Sequence, residues 1–135
     1  MSDSDRYFAA NEATQGTGAG TFVAWADLTP IQIGPGLKFM PVLGENVMVS
    51  FVRYEPDTEA PLHWHEEEQI AFVLEGELEF EVAGEVRILR PGEAVVIPAN
   101  VPHGARTREG PCLQVDVFQP PRRGLLEAMG RVPPD

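Results

Sequence analysis

The sequence is poor in cysteine, in basic residues and in histidine. Its single cysteine, Cys112, cannot form an internal disulfide, which excludes a small secreted fold held together by disulfides. Ten lysines and arginines stand against 21 aspartates and glutamates, and the net charge is -11. This balance argues against a nucleic-acid-binding protein, since phosphate binding needs a basic face, and against attachment to an anionic membrane surface. The three histidines all lie between positions 63 and 103.

Long apolar runs are also missing. No stretch approaches the roughly 20 apolar residues that a membrane-spanning helix needs. The first residues, MSDSDRYFAA, contain neither a basic region nor an apolar run, so we expect no signal peptide and a cytoplasmic location. A length of 135 residues suits one domain with one core.

Short runs of strand-forming residues occupy the chain from about position 42 to 119. They are VMVSFVRY (47–54), QIAFVL (69–74), ELEFEV (77–82), VRIL (86–89), AVVI (94–97) and LQVDVF (113–118). Turns rich in glycine and proline separate these runs, which predicts an all-β sandwich or barrel. A short C-terminal helix is predicted at 122–130. The polar residues 1–20 predict a flexible N-terminal arm, and 21–135 predict a single domain.

Two of the predicted strands indicate which surfaces are covered. In ELEFEV, Leu78, Phe80 and Val82 share one face and three glutamates share the other, as in a strand with one solvated face. In QIAFVL both faces are largely apolar, which is typical of a strand covered on both sides. The second cover would be the N-terminal segment or another subunit, and we expect a homodimer.

Two histidines stand directly before the QIAFVL run. On a strand, residues two apart point to the same side, so His63 and His65 converge on one point. The same alternation reaches Gln69 if no bulge intervenes, whereas Trp64 points away and is expected in the core. His103 comes from a separate segment. Three imidazoles from two segments could bind a metal and leave coordination positions open, as catalytic centres do; histidines that only pack in a core are the alternative.

The spacing of these residues resembles the two sequence motifs of the cupin superfamily. The matching residues are His63, His65, Gln69 and Gly76 in the first motif and Gly92, Pro98 and His103 in the second. The resemblance covers about residues 40–119. It implies a single antiparallel β-barrel of the jelly-roll kind.

Four positions depart from the cupin motifs. Asp57 and Asn100 stand where the motifs have glycine, and Thr107 replaces an asparagine. Gln69 replaces a glutamate, and a neutral amide leaves a bound metal one charge more positive than a carboxylate does. This favours Lewis-acid chemistry over oxygen activation. The metal would be divalent, and nickel, zinc, manganese, iron and copper all stay open.

Three segments resemble more narrowly the cupins of pectin and alginate breakdown, which ketonise 4,5-unsaturated uronates. They are EEQIAFVLEGELEF, IPANVPHGA and DVFQPPR. This resemblance implies a metal held by His63, His65, Gln69 and His103, and a small anionic substrate. It also implies that the site contains Asp116, Phe118 and Arg122. Alternation along the last strand agrees in part, because Gln114, Asp116 and Phe118 share one face.

The implied reaction is a non-redox isomerisation that opens and ketonises an unsaturated sugar acid. Every histidine already has a motif position, so Asp116 is the predicted proton shuttle. Arg122 would bind the substrate carboxylate, and Phe118 would wall the pocket. The alternatives are a metal-dependent dioxygenase, another cupin enzyme such as a lyase or polyketide cyclase, and a non-enzymatic cupin that binds a small ligand.

Overall fold

Short antiparallel strands make up most of the chain. The computed structural model describes residues 2–9 and 15–131. The strands of these residues are β1 (Ile31–Gln32), β2 (Leu37–Leu43), β3 (Met48–Tyr54), β4 (Glu59–His63), β5 (Glu68–Glu75), β6 (Leu78–Val82), β7 (Glu85–Leu89), β8 (Ala94–Ile97), β9 (His103–Arg106) and β10 (Cys112–Gln119). Helix α1 (Asp3–Tyr7) precedes them, α2 (Arg123–Ala128) follows them, and Trp25–Asp27 forms a 3-10 turn.

The strands form two antiparallel sheets. The larger has the order β1-β2-β3-β10-β5-β8, and the smaller has the order β4-β9-β6-β7. Strands that are distant in the chain pair with each other, as β10 does with both β3 and β5. The predicted all-β jelly-roll fold is confirmed. Among the described residues, the strand pairings give two sheets and not one continuously bonded barrel.

The hydrophobic core lies between the two sheets. Its main cluster contains Leu37, Val52, Tyr54, Ala71, Val73, Leu78, Phe80, Leu89, Ile97, Ala105 and Cys112. A second cluster of Met48, Phe118 and Leu125 packs α2 against the larger sheet. Full burial of one such aliphatic or aromatic side chain is worth about 1.5–3 kcal/mol, so this second contact holds α2 near the sheet.

The predicted secondary structure agrees with most of this architecture. All six predicted runs form strands, with ends within one residue of the predicted ones, and the helix predicted at 122–130 is observed as Arg123–Ala128. In the predicted arm, residues 1 and 10–14 lie outside the described part, and α1 carries a capping box between Ser2 and Asp5. Neither helix of the described residues has the length and apolarity to cross a membrane.

Two turns explain why the chain can depart from the motif glycines. Asp57 has φ 51° and Asn100 has φ 63°, in the left-handed region that glycine adopts most easily. The glycines that match the motifs, Gly76 and Gly92, have φ 81° and 87°. Asp and Asn tolerate this region better than other residues, so the motif turns are preserved in backbone shape.

The outer face of β5 is less covered than its sequence predicts. Ala71 and Val73 are fully buried on the inner face, but Ile70 is 39% and Leu74 is 43% exposed on the outer face. The N-terminal segment covers a different part of this sheet, where Trp25 packs on Phe51 with ring centroids 5.7 Å apart. The described N-terminal residues therefore do not supply the second cover of this strand.

Candidate metal centre and active site

A cavity of about 550 Å³ opens between the two sheets and is lined by several of the buried polar side chains. All seven residues predicted for the site line it: His63, His65, Gln69, His103, Asp116, Phe118 and Arg122. The rest of its wall includes aromatic side chains, among them Phe39, Tyr54 and Phe80. A small concave site with few polar groups on apolar walls is the usual form of a small-molecule pocket.

The three histidines meet at one point of this cavity. His63 ends β4 and His103 begins β9, and the two are directly opposed in the pairing of these strands. His65 follows in the segment that leads to β5. One ring nitrogen from each residue lies within 4.8 Å of the others, so together they could hold a metal ion. The convergence that strand alternation predicted is therefore present.

Local hydrogen bonds orient each imidazole. The Nδ1 atoms of His63, His65 and His103 lie 2.7, 3.0 and 2.9 Å from the carbonyl oxygen of a residue two positions away. A carbonyl only accepts, so a proton on Nδ1 satisfies each contact and leaves Nε2 with a lone pair for a metal ion. The Nε2 of His103 is buried and has no hydrogen-bond partner. Metal-binding histidines in proteins are oriented in this way.

Gln69 completes the polar group from the opposite sheet. Its Nε2 donates to Asp116 Oδ1 at 2.6 Å, which turns its Oε1 toward the histidines, 3.1 Å from His65 Nε2. Two lone pairs then face each other, an arrangement that a cation between them would stabilise. Three imidazole nitrogens and an amide oxygen are a donor set that suits a divalent transition metal.

Burial lowers the pKa of two imidazoles, those of His65 and His103. Desolvation lowers the pKa of His103 to about 4, against a weaker opposing effect of its hydrogen bond to the Val101 carbonyl. Desolvation, reinforced by the positive charge of Arg122, also lowers the pKa of His65. Both rings are therefore in the ligating, neutral form at pH 7, and no proton needs to be displaced from them.

Asp116 is the buried carboxyl group of the cavity. Burial raises its pKa to about 7, and the hydrogen bond from Gln69 and the charge of Arg122 oppose this rise. Gln114 donates a second amide hydrogen bond to the same oxygen, also at 2.6 Å. Burial, with the negative charge of Asp116, raises the pKa of the nearby Tyr54 hydroxyl. A carboxyl group that titrates near neutrality can both accept and donate a proton.

Aromatic side chains pack against the imidazoles. Phe118 meets His65 edge to face at 5.8 Å, and Phe80 is stacked parallel to His103 at 6.4 Å. These contacts restrict the imidazole rings and keep this side of the cavity apolar.

Sequence reasoning missed Glu67 and misplaced Trp64. Glu67 lies in the bend after His65, where it is 2% exposed and lies between His65 and Arg122. Its other partners, Arg122 and Arg123, are far away in the sequence, so no local pattern identifies it. Trp64 was predicted in the core and is 64% exposed. Strand alternation does direct it away from the histidines, but no element covers that outer surface in the described chain.

Comparison with known proteins agrees with this geometry. The sequence profile described as a cupin domain matches residues 50–118. The chain is 31% identical over 103 residues to the pectin degradation protein KdgF of Dickeya dadantii, a match that covers 74% of this chain and 94% of that protein. The solved structure of KdgF from Halomonas sp. superposes with a TM-score of 0.75 at 32% identity, over 80% of this chain and all of that one (100%).

A second relative has a different described activity. The dimethylsulfoniopropionate lyase DddQ of Ruegeria pomeroyi is 39% identical over 97 residues, 70% of this chain but only 44% of that protein. The match thus covers 94% of the KdgF protein but only 44% of the longer lyase. Strand order, motif spacing and both kinds of comparison agree, and the chain belongs to the cupin family.

Proposed function

We propose that this cupin is a metal-dependent enzyme that isomerises a small unsaturated sugar acid without redox chemistry. The observation that carries the proposal is the Gln69–Asp116 hydrogen bond of 2.6 Å, because it joins a buried carboxyl group to the histidine cluster. The similarity to KdgF proteins of pectin degradation supports the substrate class. The expected reaction opens the ring of a 4,5-unsaturated uronate and converts its enol to a ketone.

His63, His65, His103 and Gln69 would hold the metal ion. When bound, a divalent metal supplies a Lewis acid that stabilises negative charge on a substrate oxygen. The donor set accepts nickel, zinc, manganese, iron or copper. Because the amide of Gln69 carries no charge, the site keeps the full positive charge of the metal.

The remaining residues would bind substrate and move the proton. Arg122 lies at the start of α2 and lines the cavity, where its guanidinium can bind a carboxylate through two parallel hydrogen bonds. Phe118 would exclude water from one side. The side-chain amides of Gln69 and Gln114 both donate to Oδ1 of Asp116. The other oxygen, Oδ2, can therefore take a proton from a substrate hydroxyl and return it to a carbon atom of the substrate. The reaction moves one proton and changes no oxidation state overall.

A lyase is the second candidate function. The 39% identity with a dimethylsulfoniopropionate lyase favours it, although the chain spans less than half of that protein. A metal-dependent dioxygenase and a non-enzymatic ligand-binding cupin are further alternatives. The dioxygenase would consume oxygen, and the binder would turn over none of these substrates.

Turnover of unsaturated galacturonate tests the proposal directly. The metal-loaded protein should accelerate loss of the ultraviolet absorption of the ring double bond, and a chelator should abolish this acceleration. The rate should be the same with and without dioxygen. No acceleration over buffer would reject the isomerase, and dependence on oxygen would favour the dioxygenase.

The exposed outer face of β5 supports the proposal of a homodimer. Ile70 and Leu74 share this exposed apolar surface with Val96 on the neighbouring strand β8. A second copy of the chain is the proposed cover. Sedimentation of the wild type and of Ile70→Glu should give a dimer and a monomer; a monomeric wild type would reject the assembly.

A further inference from the structure

Glu67 is a buried carboxylate surrounded by hydrogen-bond donors. Its Oε2 accepts the backbone N–H of Arg123 at 2.7 Å. Its Oε1 accepts no hydrogen bond; it lies at ion-pair distance, 3.4 Å from His65 Nδ1 and 3.8 Å from Arg122 Nη1. A carboxylate is costly to bury unless cations and donors face it, so its position needs a compensating contact on each oxygen.

These contacts join two distant parts of the chain. Glu67 lies in the bend that follows His65, and Arg123 begins α2, 56 positions later. The hydrogen bond therefore connects the segment that carries a predicted metal ligand to the segment that carries Arg122. The cluster of Met48, Phe118 and Leu125 holds the far side of α2 against the sheet.

The guanidinium of Arg122 is confined from a second direction by the first turn of α2. A Cβ atom at Gly124 would lie 3.3 Å from Arg122 Nη1 and 3.4 Å from its Cζ, so the guanidinium lies directly over the glycine backbone. Arg122 is therefore held between the carboxylate of Glu67 and the surface of Gly124. A long side chain placed in this way has fewer conformations to lose when it binds a ligand.

We propose that Glu67 is a positioning residue that fixes the Arg122 guanidinium relative to the histidine cluster, so that one carboxylate ligand can contact both. The inference rests on the proposed function, since it assigns Arg122 to an anionic ligand. Glu67 itself is not among the residues that line the cavity, so it is not placed to touch substrate. It acts through Arg122.

The chemistry of the contacts explains why the residue is a glutamate. Its two oxygens face a backbone N–H, an imidazole N–H and a guanidinium, which are all donors. A glutamate side chain presents an oxygen, and no N–H group, on both sides. Glutamine has nearly the same size but would place an NH₂ group against one of these donors, so Glu67→Gln removes the positioning with little change in volume.

Binding of acetate to the Co²⁺-loaded protein tests the inference without turnover. The visible spectrum of Co²⁺ would report acetate affinity for the wild type and for Glu67→Gln, Arg122→Ala and the double variant. We expect Arg122→Ala to weaken acetate binding by roughly tenfold or more, because it removes a charge-assisted hydrogen bond to acetate, and Glu67→Gln to weaken it by up to the same factor. The double variant should bind acetate as Arg122→Ala does, because Glu67 acts only through Arg122.

Glu66→Gln is the matched control. Glu66 is exposed in the same bend, and its substitution removes the same charge. Removal of one negative charge from an acidic protein should by itself strengthen anion binding slightly. Acetate binding that is weaker in Glu67→Gln but not in Glu66→Gln would therefore support the positioning role of Glu67. Acetate affinity equal to or above that of the wild type in Glu67→Gln, or fully additive losses in the double variant, would overturn it.

Hydrogen exchange provides a measurement that needs no metal. The amide of Arg123 should exchange faster in Glu67→Ala than in the wild type, and should be unchanged in Glu66→Ala. Unchanged protection in Glu67→Ala would overturn the connection to α2. If Arg122→Ala binds acetate normally while the Arg123 amide loses protection in Glu67→Ala, the assigned role of Arg122 fails but the connection holds. If Arg122→Ala weakens acetate binding and Glu67→Gln does not, the positioning role of Glu67 fails and the proposed function stands.

Discussion

The two sheets contribute different halves of the candidate site. The smaller sheet supplies His63 and His103, whose rings are oriented by carbonyls two positions away in the chain. The larger sheet supplies Gln69 and Asp116, whose hydrogen bond joins residues 47 positions apart. The histidine half is thus organised locally, and the amide–carboxylate half depends on the tertiary structure. This difference predicts that metal binding and proton transfer can be separated by substitution.

Loss of an imidazole should have the largest effect. His103→Ala removes a buried nitrogen from the histidine cluster, and we expect metal affinity to fall by more than about 100-fold, because even outer partners of metal ligands contribute 10–100-fold. Calorimetric titration with Zn²⁺ would measure the loss, with the melting temperature of the metal-free variant as a control for folding. Nearly unchanged affinity would place the metal elsewhere.

Asp116→Asn should damage turnover far more than metal binding. The asparagine can still accept the amide hydrogen bonds of Gln69 and Gln114, but it cannot exchange a proton. We expect kcat on unsaturated galacturonate to fall on the order of 10²–10⁴-fold, with metal affinity changed by less than about tenfold. Full activity in a metal-loaded Asp116→Asn protein would remove Asp116 from its proposed role.

Gln114→Met should have a smaller effect on turnover, and this effect should be confined to the amide–carboxylate half of the site. The substitution removes one of two hydrogen bonds to Asp116 Oδ1 and leaves a side chain of similar length. Because hydrogen bonds to a carboxylate favour its ionised form, the pKa of Asp116 should rise by roughly one unit. The pH dependence of kcat would report this shift, and an unchanged profile would show that a different group limits the rate.

The pH dependence of stability should reveal the smallest effect. Burial raises the pKa of Asp116 to about 7, so the folded protein holds this proton more tightly than the unfolded chain does. Asp116 therefore favours folding below about pH 4, and this contribution is lost as the pH rises through about 7. His103 acts in the opposite direction, since its pKa is lowered to about 4 and its contribution is lost as the pH falls from 6.5 toward 4.

A comparison of two metal-free proteins isolates the contribution of Asp116. Wild type and Asp116→Asn share the same histidines, so the difference in their melting temperatures depends on Asp116 alone. Between about pH 5 and about pH 8, the melting temperature of Asp116→Asn should rise by several degrees relative to that of the wild type. A difference that is independent of pH would show that the carboxyl group has an ordinary pKa.

The local half of the site was predictable from the sequence, and much of the fold was too. Runs of strand-forming residues identified six strands, and the convergence of His63 and His65 was predicted, although only His63 lies on a strand. Two strands that carry histidines were not identified, because EAPLH and HGAR contain few strand-forming residues. Their pairing depends on close approach at Gly104, where a Cβ would lie 3.0 Å from the Ala60 carbonyl oxygen. Such a contact is visible only when both strands are in place.

The distant half was predictable only through resemblance to other proteins. Alternation placed Asp116 on the same strand face as Gln114, but no pattern shows that Gln69 turns its amide toward it. Glu67 was not among the predicted site residues, since its hydrogen-bond donor is a backbone N–H 56 positions away. Trp64 was misplaced because alternation tells which way a side chain points and not whether anything covers it.

Strand β10 offers a practical starting point for changing the chemistry of this protein. Its inward residues Gln114, Asp116 and Phe118 all line the cavity, yet none of them belongs to the histidine cluster. A library randomised at these three positions would sample new pocket shapes and acid–base groups while keeping the three histidines that could hold a metal. Selection for metal retention and selection for a new reaction could then be applied in separate rounds.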